Sequence, residues 1–173
     1  MELFLVRHAE AVERSDTLQE EVRWLTPKGR KLTQKAAARL RKKNIRPARI
    51  ITSPLTRAVQ TAELLMAELG KHAELTADSR LAPDSSLEAA LELLQQHKEQ
   101  PRVVLVGHEP LLSTLAAKLL QRELPGSLGK ASCLALELRA KPGKAAKFLW
   151  YQPTTGKTVS SPRKALAPAH ATA

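Results

Sequence analysis

Aromatic residues and cysteine are scarce in this sequence. Phe, Trp and Tyr make up 3% of its 173 residues, and Cys133 is the single cysteine. The core must therefore be built from leucine, valine, isoleucine and alanine. One cysteine excludes an intramolecular disulfide and is typical of a reducing compartment, so we expect a cytoplasmic protein.

Long apolar segments and metal-ligand motifs are also missing. No apolar run approaches the roughly 20 residues that span a bilayer, and the first residues lack the pattern of a signal peptide. We therefore expect no membrane association. No HExxH motif is present, and His8, His108 and Glu109 are too few ligands for a zinc or iron site. We expect neither a metal nor another cofactor.

Negative charge is in deficit. The 28 Lys and Arg residues outnumber the 17 Asp and Glu residues, which gives a net charge of +11. Cations cluster between Arg39 and Arg49, but no aromatic side chains lie among them to stack on bases. The simplest interpretation is a solvated helix face, and the alternative is long-range attraction of acidic, phosphorylated partners. Nucleic acid is the less favoured partner.

Short apolar runs alternate with helical patterns along the chain. The runs predict strands at 3–6, 50–52, 73–76, 103–106, 131–138 and 147–151. Apolar residues at helical spacing predict helices over about 26–43, 55–69, 87–94 and 109–120. Such alternation indicates a single-domain α/β protein, a three-layer sandwich whose mostly parallel central sheet has helices on both faces. This domain spans residues 1–151, and residues 152–173, rich in Pro, Ala, Ser and Thr, predict a flexible tail.

Several boundary residues support these predictions. Thr26 followed by Pro27 is typical of a helix N-cap and first turn. Ser85 with Glu88 suggests a capping box before the third helix. Gly70 suits a helix C-terminus, and Pro142-Gly143 indicates a turn between the last two strands.

Four charged or imidazole side chains follow predicted strands. Arg7 and His8 come after the first strand, Arg57 closely follows the second, and His108 comes after 103–106. Because the carboxyl ends of parallel strands meet at one edge of a sheet, we expect these side chains to converge.

The four side chains suit phosphoryl transfer. A neutral imidazole of His8 is a nucleophile at neutral pH. Arg7 and Arg57 offer planar, permanently charged donors that match phosphate oxygens. His108, if protonated, would add a third positive group. Gly107 would allow the sharp turn that directs His108 inward.

This combination resembles the histidine phosphatase, or phosphoglycerate mutase-like, superfamily. The resemblance covers about residues 1–151 and is carried by three stretches: Val6-Arg7-His8-Ala9, Ser53-Pro54-Leu55-Thr56-Arg57-Ala58-Val59-Gln60-Thr61-Ala62 and Val106-Gly107-His108. The short chain, alanine after the first histidine and the stretches 23–29 and 108–113 are most similar to the SixA-like branch.

The resemblance implies a metal-independent phosphatase. His8 would be the nucleophile, and Arg7, Arg57 and His108 would complete the phosphate pocket. The SixA-like branch removes phosphate from histidine of signalling phosphotransfer proteins. Glu109 stands where that branch usually has asparagine, and it is either a proton donor or a carboxylate favoured by a helix N-terminus.

Three functions remain open from the sequence. The first is a phosphohistidine phosphatase, the second is a small-molecule phosphomonoesterase of the same superfamily, and the third is a non-catalytic module that binds phosphate or nucleic acid. The expected partner is a phosphohistidine-bearing protein or a small phosphorylated substrate, met by a monomer. Ser53 and Thr61 either line the site or serve as structural caps. The sequence leaves open whether Arg23 reaches the pocket.

Overall fold

The computed structural model describes residues 1–70, 72–139 and 143–166. Pro142 of the predicted turn and residues 167–173 of the predicted tail lie outside the described residues. Within the described ranges, no helix is long and apolar enough to cross a membrane.

The elements follow the order expected from the sequence, with small shifts at their ends. The strands are β1 (Glu2–Arg7), β2 (Arg49–Thr52), β3 (Glu74–Ala77), β4 (Arg102–Gly107), β5 (Cys133–Glu137) and β6 (Lys147–Gln152). The helices are α1 (Pro27–Lys42), α2 (Thr56–Leu69), α3 (Leu87–Gln96) and α4 (Leu111–Leu120). Two short 3-10 turns, Glu20–Val22 and Ser79–Leu81, lie between them.

The six strands form one mixed sheet in the order β3-β2-β4-β1-β5-β6. The first four strands of that order are parallel, and β5 is antiparallel to both β1 and β6. Arg7 is opposite Gly107, and Thr52 is opposite Val106. The carboxyl ends of β1, β2 and β4 therefore lie side by side, and the mostly parallel α/β sheet is confirmed.

Alternate residues of the central strands point into two separate cores. Leu3 and Leu5 of β1 pack with side chains of α3 and α4, whereas Phe4 and Val6 pack with those of α1 and α2. The sheet is thus covered by helices on both faces, as the period-two alternation of a central strand requires. The three-layer sandwich is confirmed.

The structure confirms one of the two predicted helix N-caps and corrects the other. Thr26 accepts the backbone N–H of Gly29 at 2.9 Å and caps α1 as predicted. The cap of α3 is Ser86, which accepts from the backbone N–H of Ala89, so the prediction of a capping box at Ser85 is wrong. Ser85 and Ser86 have the same side chain, so the sequence does not distinguish them as caps. The backbone conformation decides which of them caps the helix.

Residues 152–166, the described part of the predicted tail, contact the domain at two places. Tyr151 and Val159 form a two-way backbone bridge. Ala165 is 0% exposed and Leu166 is 5% exposed within the core on the α3–α4 side.

Candidate active site

The predicted site residues meet at the carboxyl edge of the parallel strands. The backbone N–H of His8 donates to the Gly107 carbonyl at 3.0 Å, and that of Ser53 donates to the Val106 carbonyl at 2.9 Å. These bonds continue the sheet ladder one residue beyond each strand. The loops that follow β1, β2 and β4 therefore leave the sheet at one place and bring their side chains together.

His8 is held by its own backbone neighbour. Its Nδ1 lies 2.7 Å from the Ala9 carbonyl oxygen, which can only accept, so Nδ1 carries the proton. The Ala9 N–H in turn donates to Thr61 Oγ1 at 3.2 Å, and Thr61 is fully buried in α2. This arrangement leaves the lone pair of His8 on Nε2.

His108 lies beside His8. The two ring centroids are 4.8 Å apart and the rings are tilted by 54°. His108 Nε2 and the Ser53 hydroxyl are 2.8 Å apart, and both side chains are buried. Ser53 therefore contacts the ring of His108, and Thr61 contacts the backbone next to His8.

Both imidazoles are neutral in the protein at pH 7. Burial lowers the pKa of His8 from 6.5 to about 4, with Arg57, Arg7 and Lys130 adding to the effect and the bond to Ala9 opposing it. Burial lowers the pKa of His108 to about 3, helped by His8 and Arg57. In the unliganded protein, His108 is therefore not the third positive group that the sequence analysis considered.

The two arginines lie near the imidazoles and are held by different partners. Arg7 Nη1 donates to the Leu128 carbonyl at 2.8 Å, and its buried Nε has no partner among the described residues. Arg57 is 4% exposed. Burial lowers its pKa, and Glu20 partly opposes that shift, but a guanidinium stays charged at any physiological pH.

Glu20 is the site residue that the sequence did not reveal. Its carboxylate accepts from Arg57 Nη2 at 2.8 Å and from Arg23 Nη1 at 2.8 Å. Arg14 Nε also donates to it, at 2.9 Å. Burial opposes its ionisation, but the hydrogen bonds from Arg23 and Arg14 prevail and lower the pKa of Glu20. Arg23 therefore joins the arginine cluster through this shared carboxylate. No motif marked Glu20, since it is one of several acids in a polar loop.

Residues 10–25, which we call the strap, place Glu20 next to Arg57. The strap closes on itself through the Val12 N–H to the Trp24 carbonyl at 2.9 Å. Gln60 of α2 holds its end by accepting the Leu25 N–H at 2.8 Å. A Cβ at position 29 would overlap the Glu10 carbonyl oxygen, so Gly29 lets α1 pack directly on the strap.

Glu109 precedes α4 rather than lying within it, because α4 begins at Leu111. Its carboxylate accepts the Leu128 N–H at 3.1 Å and the Ser113 hydroxyl. Burial raises the pKa of Glu109, and these hydrogen bonds reduce the shift without cancelling it. Leu128 links Glu109 to Arg7 by using its N–H for one and its carbonyl for the other.

Among the residues that the structure describes, no group of three or more His, Cys, Asp or Glu side chains is placed to hold a metal ion.

Two imidazoles and two arginines thus lie at the carboxyl edge of a mostly parallel α/β sheet, an arrangement that suits an oxyanion such as phosphate, and comparisons with known proteins specify the family. Residues 3–82 match the model of the histidine phosphatase superfamily, branch 1. The chain belongs to this superfamily. An uncharacterised protein of Picosynechococcus sp. strain PCC 7002 is 43% identical over 119 residues, which are 67% of this chain and 71% of that protein.

Solved structures share the fold. The protein histidine phosphatase SixA complexed with tungstate has a TM-score of 0.79 at 23% identity, covering 89% of this chain and 97% of that one. A SixA from Agrobacterium tumefaciens has a TM-score of 0.77 at 19% identity, covering 87% and 96%. The alpha-ribazole phosphatase from Shigella flexneri has a TM-score of 0.70 at 16% identity, covering 98% and 100%.

Proposed function

We propose that this protein is a SixA-like, metal-independent phosphatase that removes the phosphoryl group from a phosphohistidine of a signalling phosphotransfer protein. The observation that carries the proposal is the pairing of His8 and His108, with ring centroids 4.8 Å apart, beside Arg7 and Arg57. The similarity to two SixA structures, one of them with the oxyanion tungstate, adds support.

In the first step, His8 Nε2 attacks the phosphorus atom. A bond forms between His8 and phosphorus, and the bond between phosphorus and the substrate imidazole breaks. A substrate imidazole that is protonated on its other nitrogen leaves as a neutral ring, so no protein acid must act in that step. Arg7 and Arg57 hold the charge on the phosphoryl oxygens while phosphorus changes partners.

In the second step, water attacks the phosphorylated His8. Phosphate is released, and His8 leaves as a neutral imidazole, because Nδ1 keeps the proton that it donates to Ala9. Burial is the main cause of the lowered pKa of His108, and nearby cations add to it. A bound dianionic phosphoryl group would act in the opposite direction and raise that pKa, which would favour a protonated His108 that donates to phosphate in the complex.

A small-molecule phosphomonoesterase is the second candidate, and Glu109 is the observation that favours it. An alkoxide leaving group needs a proton, and a carboxyl with a raised pKa can supply one. The fold does not decide between the two, because the alpha-ribazole phosphatase shares it.

The test is phosphate release from three substrates: a phosphorylated histidine-phosphotransfer domain, free phosphohistidine and a panel of phosphomonoesters. We expect rapid release from the first two with and without a chelator, and slow release from the esters. His8→Ala should abolish release, and mapping of the wild-type enzyme under alkaline conditions, which preserve the phosphoramidate bond, should find no phosphorylated residue other than His8. Faster ester hydrolysis would favour the second candidate, and turnover by His8→Ala would refute the nucleophile.

A further inference from the structure

Two apolar side chains are exposed next to the arginine cluster. Val22 is 45% exposed and Trp24 is 49% exposed, and they are the exposed large hydrophobic residues among those described. Both flank Arg23, whose guanidinium shares the Glu20 carboxylate with Arg57. Isolated exposed hydrophobic residues are ordinary, but this pair lies on either side of Arg23 in the sequence, and Arg23 is linked to Arg57 of the proposed phosphate site through Glu20.

The outward face of α1 begins three residues after Trp24 and is cationic. Five of the seven cations of α1 recur at intervals of three and four residues, which places them along one side of the helix: Lys28, Lys31, Lys35, Arg39 and Lys42. The buried side of α1 is formed by other residues, among them Ala36, Ala37 and Leu40. No Asp or Glu occurs in α1.

Stability alone does not account for this distribution. The first turn of α1 carries no acidic residue, and cations near a helix N-terminus are disfavoured by the helix dipole. Lys28 pairs with Glu10 at 3.1 Å, which ties this end of the face to the strap. Lys31 and Lys35 form no ion pair with any described residue, so their charges are available to a partner.

We propose that Val22, Trp24 and the cationic face of α1 form a docking surface for a folded phosphoprotein with acidic side chains near its phosphohistidine. This inference rests on the proposed function and names the kind of substrate that the site accepts. Charge complementarity with α1 would orient the partner, and the apolar pair would supply the buried contact at the centre.

The charges on the strap would also orient the partner. Glu13, Asp16 and Glu21 are exposed on it, so an acidic surface is repelled there and attracted by α1. A partner therefore meets Trp24 with an apolar patch and α1 with its carboxylates, which leaves its phosphohistidine facing the pocket. A protein fits this mixed surface better than nucleic acid does, because the cations of α1 are not interleaved with aromatic side chains.

The test separates docking from chemistry by using two substrates. One is a phosphorylated histidine-phosphotransfer domain with an acidic surface, and the other is free phosphohistidine, which fills the pocket but touches no surface. The variants are Trp24→Ala and the double variant Lys31→Glu/Lys35→Glu. The matched control is Lys118→Glu/Arg122→Glu, which has the same charge change and spacing at the end of α4, on the opposite face of the sheet.

We expect each docking variant to lower kcat/KM for the phosphorylated domain by about tenfold, chiefly through KM, and to change turnover of free phosphohistidine less than about twofold. Added salt should weaken the wild-type reaction with the domain more than that of the double variant. The control should behave as wild type.

Other outcomes overturn the inference. Equal losses on both substrates would mean that the substitutions damaged the pocket, and no loss on the domain would mean that the partner docks elsewhere. If the double variant instead lost affinity for duplex DNA while domain turnover stayed normal, the surface would serve nucleic acid. Titration calorimetry with the unphosphorylated domain tests docking even if wild type hydrolyses neither substrate, in which case the proposed function fails separately.

Discussion

Arg57 is joined to Glu20 twice. Its Nη1 donates to the Glu20 carbonyl and its Nη2 to the Glu20 carboxylate, both at 2.8 Å. The guanidinium proposed to hold a phosphoryl group is thus already neutralised by a carboxylate on the strap. A phosphate that binds Arg57 would therefore have to share this donor with Glu20.

Removal of the Glu20 charge should strengthen anion binding. Glu20→Gln keeps the size of the side chain but weakens its hold on Arg57, so we expect inorganic phosphate to inhibit at roughly threefold to tenfold lower concentration. Glu21→Gln, on the same 3-10 turn, is the control for a change in net charge. Unchanged or weaker inhibition by phosphate would show that Glu20 supports the anion site instead of competing for it.

Loss of the Ser53 hydroxyl should slow the reaction. Ser53→Ala leaves His108 Nε2 without its buried partner, which costs about 1–3 kcal/mol and frees the ring to turn. We expect kcat to fall about tenfold, with a smaller change in KM. Ser86→Ala is the matched control, because it removes the cap of α3, costs about 1 kcal/mol of stability and lies outside the site. Equal effects of both variants on kcat would reject positioning by Ser53.

The two site histidines should titrate in acid. Their pKa values of about 4 for His8 and about 3 for His108 mean that the folded protein binds fewer protons than the unfolded chain below pH ~6.5. These histidines should therefore leave the free energy of unfolding unchanged above that pH and lower it as the pH falls towards 4. Imidazole NMR resonances give the midpoints directly. Added phosphate should raise them, and midpoints near 6.5 in the unliganded protein would contradict the burial of these rings.

Substitution of Glu109 should separate the two candidate reactions. Glu109→Gln removes an acid whose pKa is raised by burial but keeps a side chain able to accept the Leu128 N–H. We expect phosphohistidine turnover to stay within about twofold of wild type and residual ester hydrolysis to fall about 100-fold. A similar loss on both substrates would mean that Glu109 acts through Arg7 and Leu128 instead.

Much of the fold could be predicted because local patterns and tertiary packing agree. The apolar runs at 3–6 and 103–106 became central strands with both faces buried, and Thr26 capped α1 as its chemistry requires. The error at the start of α3 occurred where the local signal was ambiguous, because Ser85 and Ser86 are equally good caps. Residues 152–166 show little apolar content, so no local pattern indicates the burial of Ala165 and Leu166.

By itself, the sequence determined the strand order along the chain, the helix starts and the four residue types that suit phosphoryl transfer, because these depend on periodicity and on chemistry carried by single side chains. Only the tertiary structure decided that His8 donates from Nδ1, that Ser53 meets His108 and that Glu20 joins Arg23 to Arg57. Those contacts join residues from different loops. Their geometry is set by how the strap, α1 and α2 pack at the edge of the sheet, which no local pattern records.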